Sequence, residues 1–126
     1  MAKYLIYADE SQYCGLHGIY DWDVVECDTK EEAQEIGVQM SYEVINSYSD
    51  LVGAYEEEAE QVLRDNGLTP EDPEWDDAFS NYVDDCISEN TQYRIFELNP
   101  NFDYSTINTQ YEDWEEICNI YAVKEI

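Results

Sequence analysis

The side chains with chemical capacity in this chain are carboxylates. It carries 31 Asp and Glu against 5 Lys and Arg, a formal charge of −26 over 126 residues. Ionised carboxylates accept hydrogen bonds and pair with cations, so dense rows of them suit basic surfaces. Residues 50–89 hold 14 of the 31, opposed only by Arg64. Glu56 with Glu60, Asp72 with Asp76 and Glu112 with Glu116 are four residues apart, which on a helix sets side chains ~5–6 Å from one another. Duplex DNA carries about one charge per ~1.7 Å of axis. A helical face equipped in this way approximates a phosphate track. The expected contact residues are Glu56, Glu57, Glu58, Glu60, Asp72, Glu74, Asp76, Asp77, Asp84 and Asp85, with Glu112, Asp113 and Glu116 as a second patch. The competing reading is a solvated face with no partner. An ordinary small domain mixes both signs, with a net charge of about 2–8 in magnitude, so the imbalance favours use over accident. A halophilic origin fits less well, because the apolar residues are Tyr- and Ile-rich.

Other reactive groups are few. His17 is the single histidine, and Cys14-Gly-Leu-His17 with Cys27 offers three zinc-type ligands but no fourth in CxxC spacing. A loop histidine and free thiols are the plainer reading, and Cys86 and Cys118 stand alone. No spacing supports a Cys–His nucleophile pair, and no phosphate loop, GxSxG elbow or HExxH motif is present. Asp21-Trp-Asp23 and Asp76-Asp77 lack the EF-hand frame. The sequence therefore reads as a non-enzyme with no cofactor and no metal.

Apolar periodicity supplies the elements that must carry these acids. Residues 3–8 read as a strand, 9–18 as a loop, and 19–27 as a second strand pairing with the first. Thr29 is an N-cap with Glu32 three residues on, opening a helix to about Tyr48 with Ala33, Ile36, Met40, Val44 and Tyr48 as its stripe. Ser49 or Asp50 would cap a second helix, or the first would continue through a kink; Leu51, Tyr55, Ala59, Val62 and Leu63 share one face, and Asn66-Gly67 is the stop. A third starts at Pro70 or Pro73 and carries Trp75, Phe79, Tyr82, Val83 and Cys86. Residues 92–98 read as a strand, 101–110 as ambiguous, 112–118 as a short helix or turn and 119–126 as a last strand. The expectation is one α+β domain over 1–126. It has a small antiparallel sheet of about four strands and three to four helices on one face, in the order ββαααβαβ. Twelve tyrosines mostly fall on stripes and strands; Tyr93, Tyr104 and Tyr111 are candidates for exposed interface positions.

With no long apolar run at the N-terminus and no window approaching ~20 apolar residues, a cytoplasmic protein with free thiols is expected. Repulsion from phosphate argues against direct binding to nucleic acid or anionic membranes. The favoured partners are proteins with basic nucleic-acid grooves. In composition and charge layout over its whole length, the chain resembles the small acidic DNA-mimic inhibitors of phages and mobile elements. That resemblance implies a partner such as a Cas nuclease, making the chain an anti-CRISPR protein, or a restriction enzyme. Locally, Tyr13-Cys-Gly-Leu-His17-Gly18 is similar to the Tyr-Asn-x-Gly-x-Leu-His-Gly-x-Trp stretch of ArdA-type antirestriction proteins, with a shorter gap between Tyr13 and His17. An acidic adaptor that binds through aromatic residues, its charge serving solubility, is the other reading.

Overall fold

The computed structural model describes residues 2–11, 19–101 and 113–126. The chain folds as α+β in the expected order: β1 (Ala2–Glu10), β2 (Tyr20–Cys27), α1 (Lys30–Ser47), α2 (Ser49–Asp65), α3 (Trp75–Glu89), β3 (Thr91–Leu98), α4 (Trp114–Tyr121) and β4 (Ala122–Glu125). The strands form one antiparallel sheet in the order β2-β1-β3-β4. The strand β1, with Tyr4, Leu5, Ile6 and Tyr7 at its centre, therefore lies inside it. Asp21 and Asp23 each accept the amide of the following residue, at 2.9 and 2.8 Å. These amides belong to β2, an edge strand, and are not offered to another chain.

Strand alternation sends β1 side chains to both faces. Tyr4 and Ile6 join Cys27 and Ile95 beneath α1.

 Ala33 of α1 lies in that same cluster. Leu5 and Tyr7 point the other way, into a cluster with Phe96, Leu98 and Ile117 of α4. Helices therefore cover both faces, not one: α1 on the first and α4 on the second. The sequence hides this because α4 is short and follows the last long strand.

The start of α1 is as expected. The Thr29 hydroxyl accepts the Glu32 amide at 3.2 Å, and the Glu32 carboxylate accepts the amide of Asp28 at 3.4 Å. Its buried line differs, running Ala33, Gly37, Ser41 and Ile45, while Ile36, Met40, Val44 and Tyr48 are half-buried flanks. Small residues are needed there because the helix lies close on the sheet. A Cβ at Gly37 would stand 2.9 Å from the Tyr93 ring. Tyr93 is accordingly half-buried packing and not an exposed anchor. Ser41 ties the two layers together: its hydroxyl donates to the Asp9 carbonyl at 2.6 Å and accepts the Gln92 amide at 2.9 Å.

Neither Ser49 nor Asp50 caps α2; Tyr48 occupies the cap position and makes no side-chain cap bond. The α2 core line is Leu51, Tyr55, Ala59 and Leu63. It stops as expected at Asn66-Gly67. Gly67 adopts φ +86°, its amide donates to the Arg64 carbonyl at 3.0 Å, and Leu68 donates to the Leu63 carbonyl at 2.9 Å. This is the paired closure that a left-handed glycine permits. The third helix begins at Trp75, later than either proline. Before it, the Asp72 carboxylate accepts the Thr69 amide at 2.8 Å and closes a turn; a residue preceding proline resists the helical conformation. The loop expected from residue 9 also starts later, since Asp9 and Glu10 continue β1.

Candidate functional site: an acidic helical hairpin

The α2 and α3 helices run antiparallel as a hairpin. At one end the Arg64 guanidinium lies 5.7 Å from the Trp75 ring centre. At the other, Leu51 and Tyr55 pack with Ile87, Ile45 of α1 and Ile19. With the apolar sides turned toward one another and toward α1, the acids face solvent. Glu56, Glu57, Glu58 and Glu60 are exposed on α2, and Asp76, Asp77, Asp84 and Asp85 on α3. Glu74 is exposed just before α3. The structure thus gathers these nine expected contact residues, and Asp72 in the connection between the helices, on one supersecondary unit.

They are not equivalent. Asp72 is half-buried in its turn and precedes the helix, so it forms no helical row with Asp76. Glu60 holds Arg64 at 3.1 Å, so the hairpin's only cation is engaged within it. The Tyr42 hydroxyl donates to Asp84 at 2.5 Å, tying α3 to α1. That bond, followed by burial and the Asp84 charge, holds the Tyr42 phenol above its ordinary pKa. Burial raises Tyr82 as well, followed by its hydrogen bond to Glu58 across the hairpin. Glu57, Glu74, Asp76, Asp77 and Asp85 remain as exposed carboxylates outside these pairings.

The second patch divides. Glu112 lies outside the described residues, as do Tyr104, Tyr111, Cys14 and His17. Asp113 holds the cap position of α4 without a side-chain cap bond, and Glu116 is exposed on its first turn. Because α4 covers the sheet face opposite α1, these acids do not extend the hairpin's surface.

Three features escaped the sequence reading. One is a groove of about 520 Å³ between α1, α2 and α3, with Val52, Phe79, Val83 and Ile87 among its lining and Glu56 and Asp84 at its border. Only the assembly of three helices creates it. The second is an aromatic stack on the α4 face, with the Tyr7 and Trp114 ring centres 4.3 Å apart and Arg94 over Phe96 and Trp114. The third is the burial of Asp9 and Glu10, at 2% and 0% exposure. The Asp9 carboxylate accepts the Tyr7 hydroxyl at 2.9 Å. Burial pushes its pKa above the usual range, against the lowering effect of that hydrogen bond.

Among the described residues, no group of three or more His, Cys, Asp or Glu side chains is placed to hold a metal ion. Cys27, Cys86 and Cys118 are free, and burial raises all three thiols, Cys118 to about 11. No described helix is long and apolar enough to cross a membrane. Comparison with known proteins finds no match: no family profile, curated protein or solved structure is significantly similar to the chain.

Proposed function

We propose that the hairpin is a DNA mimic, and that the protein is a non-enzymatic inhibitor that fills the basic nucleic-acid groove of a partner. The observation that carries this reading is charge density. The 17 residues of α2 span about 25 Å at ~1.5 Å per residue. Residues 50–89 carry 14 acids and one arginine, a net −13. That is about one net charge per ~2 Å, close to the ~1.7 Å of duplex DNA. A helical scaffold holds the charges in fixed relation, so a groove evolved for phosphates gains counterion release without paying to order its ligand. The partner class that fits is a bacterial defence nuclease acting in the cytoplasm, a Cas effector first and a restriction enzyme second.

The test is competition. Labelled duplex DNA is bound to each of a panel of purified Cas effectors and restriction enzymes, and the protein is titrated in. The expected result is loss of DNA from at least one of them. A variant with Glu57→Gln, Glu74→Gln, Asp76→Asn, Asp77→Asn and Asp85→Asn should lose most of that effect, since it removes five charges that make no structural bond. Simultaneous binding of DNA and protein to the effector would sink the proposal. The adaptor reading draws its support from Ile120 and Val123, which are 72% and 63% exposed away from the hairpin; it predicts binding that survives the neutralised variant.

A further inference from the structure

We infer that the groove between α1, α2 and α3 receives one arginine side chain of the partner. The inference rests on the mimicry reading for the basic character of that partner, and adds a contact that DNA cannot offer. A phosphate track has no apolar floor. Here Val52, Phe79 and Val83 line a groove of about 520 Å³ bordered by Glu56 and Asp84. Arginine has the matching form, an aliphatic stem that favours apolar contact and a planar cation that stacks on rings and pairs with carboxylates.

The chain itself shows how it holds arginine. Arg64 lies 5.7 Å from the Trp75 ring centre and 3.1 Å from Glu60. Arg94 lies 5.0 Å from the Phe96 ring centre and 2.8 Å from Glu125. Each combines an aromatic ring with a carboxylate. The groove presents the same combination in Phe79, Glu56 and Asp84, and no residue lining it is a cation. The carboxylate of Asp84 is also preset. Tyr42 donates to Oδ1, which fixes the rim while Oδ2 stays available to a guanidinium. Preset acceptors of this kind lower the ordering cost of binding.

The probe is the blocked tripeptide acetyl-Gly-Arg-Gly-amide, titrated into the full chain with methyl and aromatic NMR shifts as the readout. Lysine and citrulline versions serve as controls. The expected result is saturable shifts at Val52, Phe79 and Val83, with the arginine peptide bound at least ~10-fold more tightly than citrulline, which lacks the charge-assisted bonds. Glu56→Gln, an exposed change, should weaken it about 3- to 10-fold. Ser80→Trp should block the groove at unchanged charge, and an unchanged spectrum elsewhere shows that the variant is folded. Non-saturating shifts spread over all the acidic surfaces, or equal binding of the lysine peptide, would overturn the inference. The neutralised variant described above leaves Glu56 and Asp84 intact, so it should keep arginine binding while losing DNA competition. Loss of arginine binding with DNA competition intact would refute the groove and leave the mimicry standing.

Discussion

Ser41→Ala isolates the bond that fixes the helical layer to the sheet. The Ser41 hydroxyl is fully buried and serves two backbone groups, the Asp9 carbonyl at 2.6 Å and the Gln92 amide at 2.9 Å. Alanine removes both bonds and leaves the amide and the carbonyl without that partner. Each buried polar group left unsatisfied costs about 1–3 kcal/mol. Alanine's better helix propensity returns about 0.5 kcal/mol. The net loss is about 1.5–5.5 kcal/mol, a large part of the ~5–15 kcal/mol typical of a folded domain. Urea unfolding at fixed high salt measures it, with the charge repulsion screened equally in both proteins. Amide exchange gives a local check, because Gln92 should lose protection more than the Leu5 and Ile6 region. A loss below about 0.5 kcal/mol, or no change at Gln92, would refute the reasoning.

Glycines on successive helices should respond in opposite directions. Gly37→Ala places a methyl 2.9 Å from the Tyr93 ring and should cost about 1–3 kcal/mol, whereas Gly53→Ala meets nothing within 4 Å and should gain about 0.5–1 kcal/mol; urea midpoints compare the two. Asp9→Asn should stabilise the protein near pH 7, as read by melting temperature. A carboxyl whose pKa is raised by folding costs stability while it is charged, so the advantage should shrink as pH falls through its folded-state pKa. An advantage that persists at low pH would show that it has another source. Cys27 and Cys118, with thiols raised by burial, should react slowly with a thiol reagent at pH 8 until the protein is unfolded.

The element order was legible because periodicity and punctuation agreed. The Thr29 cap, the Asn66-Gly67 stop and the alternation of β2 each left a local mark. The inner line of α1 was displaced by one position because hydropathy overlooks Gly37 and Ser41. Those residues face the sheet for their size and hydroxyl, not for apolar character. The same limit applies to Asp72, whose carboxylate reads as one more surface charge until its turn with Thr69 is seen. For the site, the outward direction of the acids followed from the stripes of Leu51, Tyr55 and Ala59. The groove did not, because it needs Tyr42, Glu56 and Asp84 from three helices, and no spacing along the chain relates them.

The central claim is that the hairpin stands in for duplex DNA. The most direct measurement is the salt dependence of affinity for an effector whose DNA it displaces, with duplex DNA and this protein titrated separately against that effector. Mimicry predicts a steep linear fall of log affinity with log salt for both ligands, and a clearly shallower slope for the variant lacking the five hairpin charges. A salt-independent affinity, or the same slope with and without those charges, would contradict it.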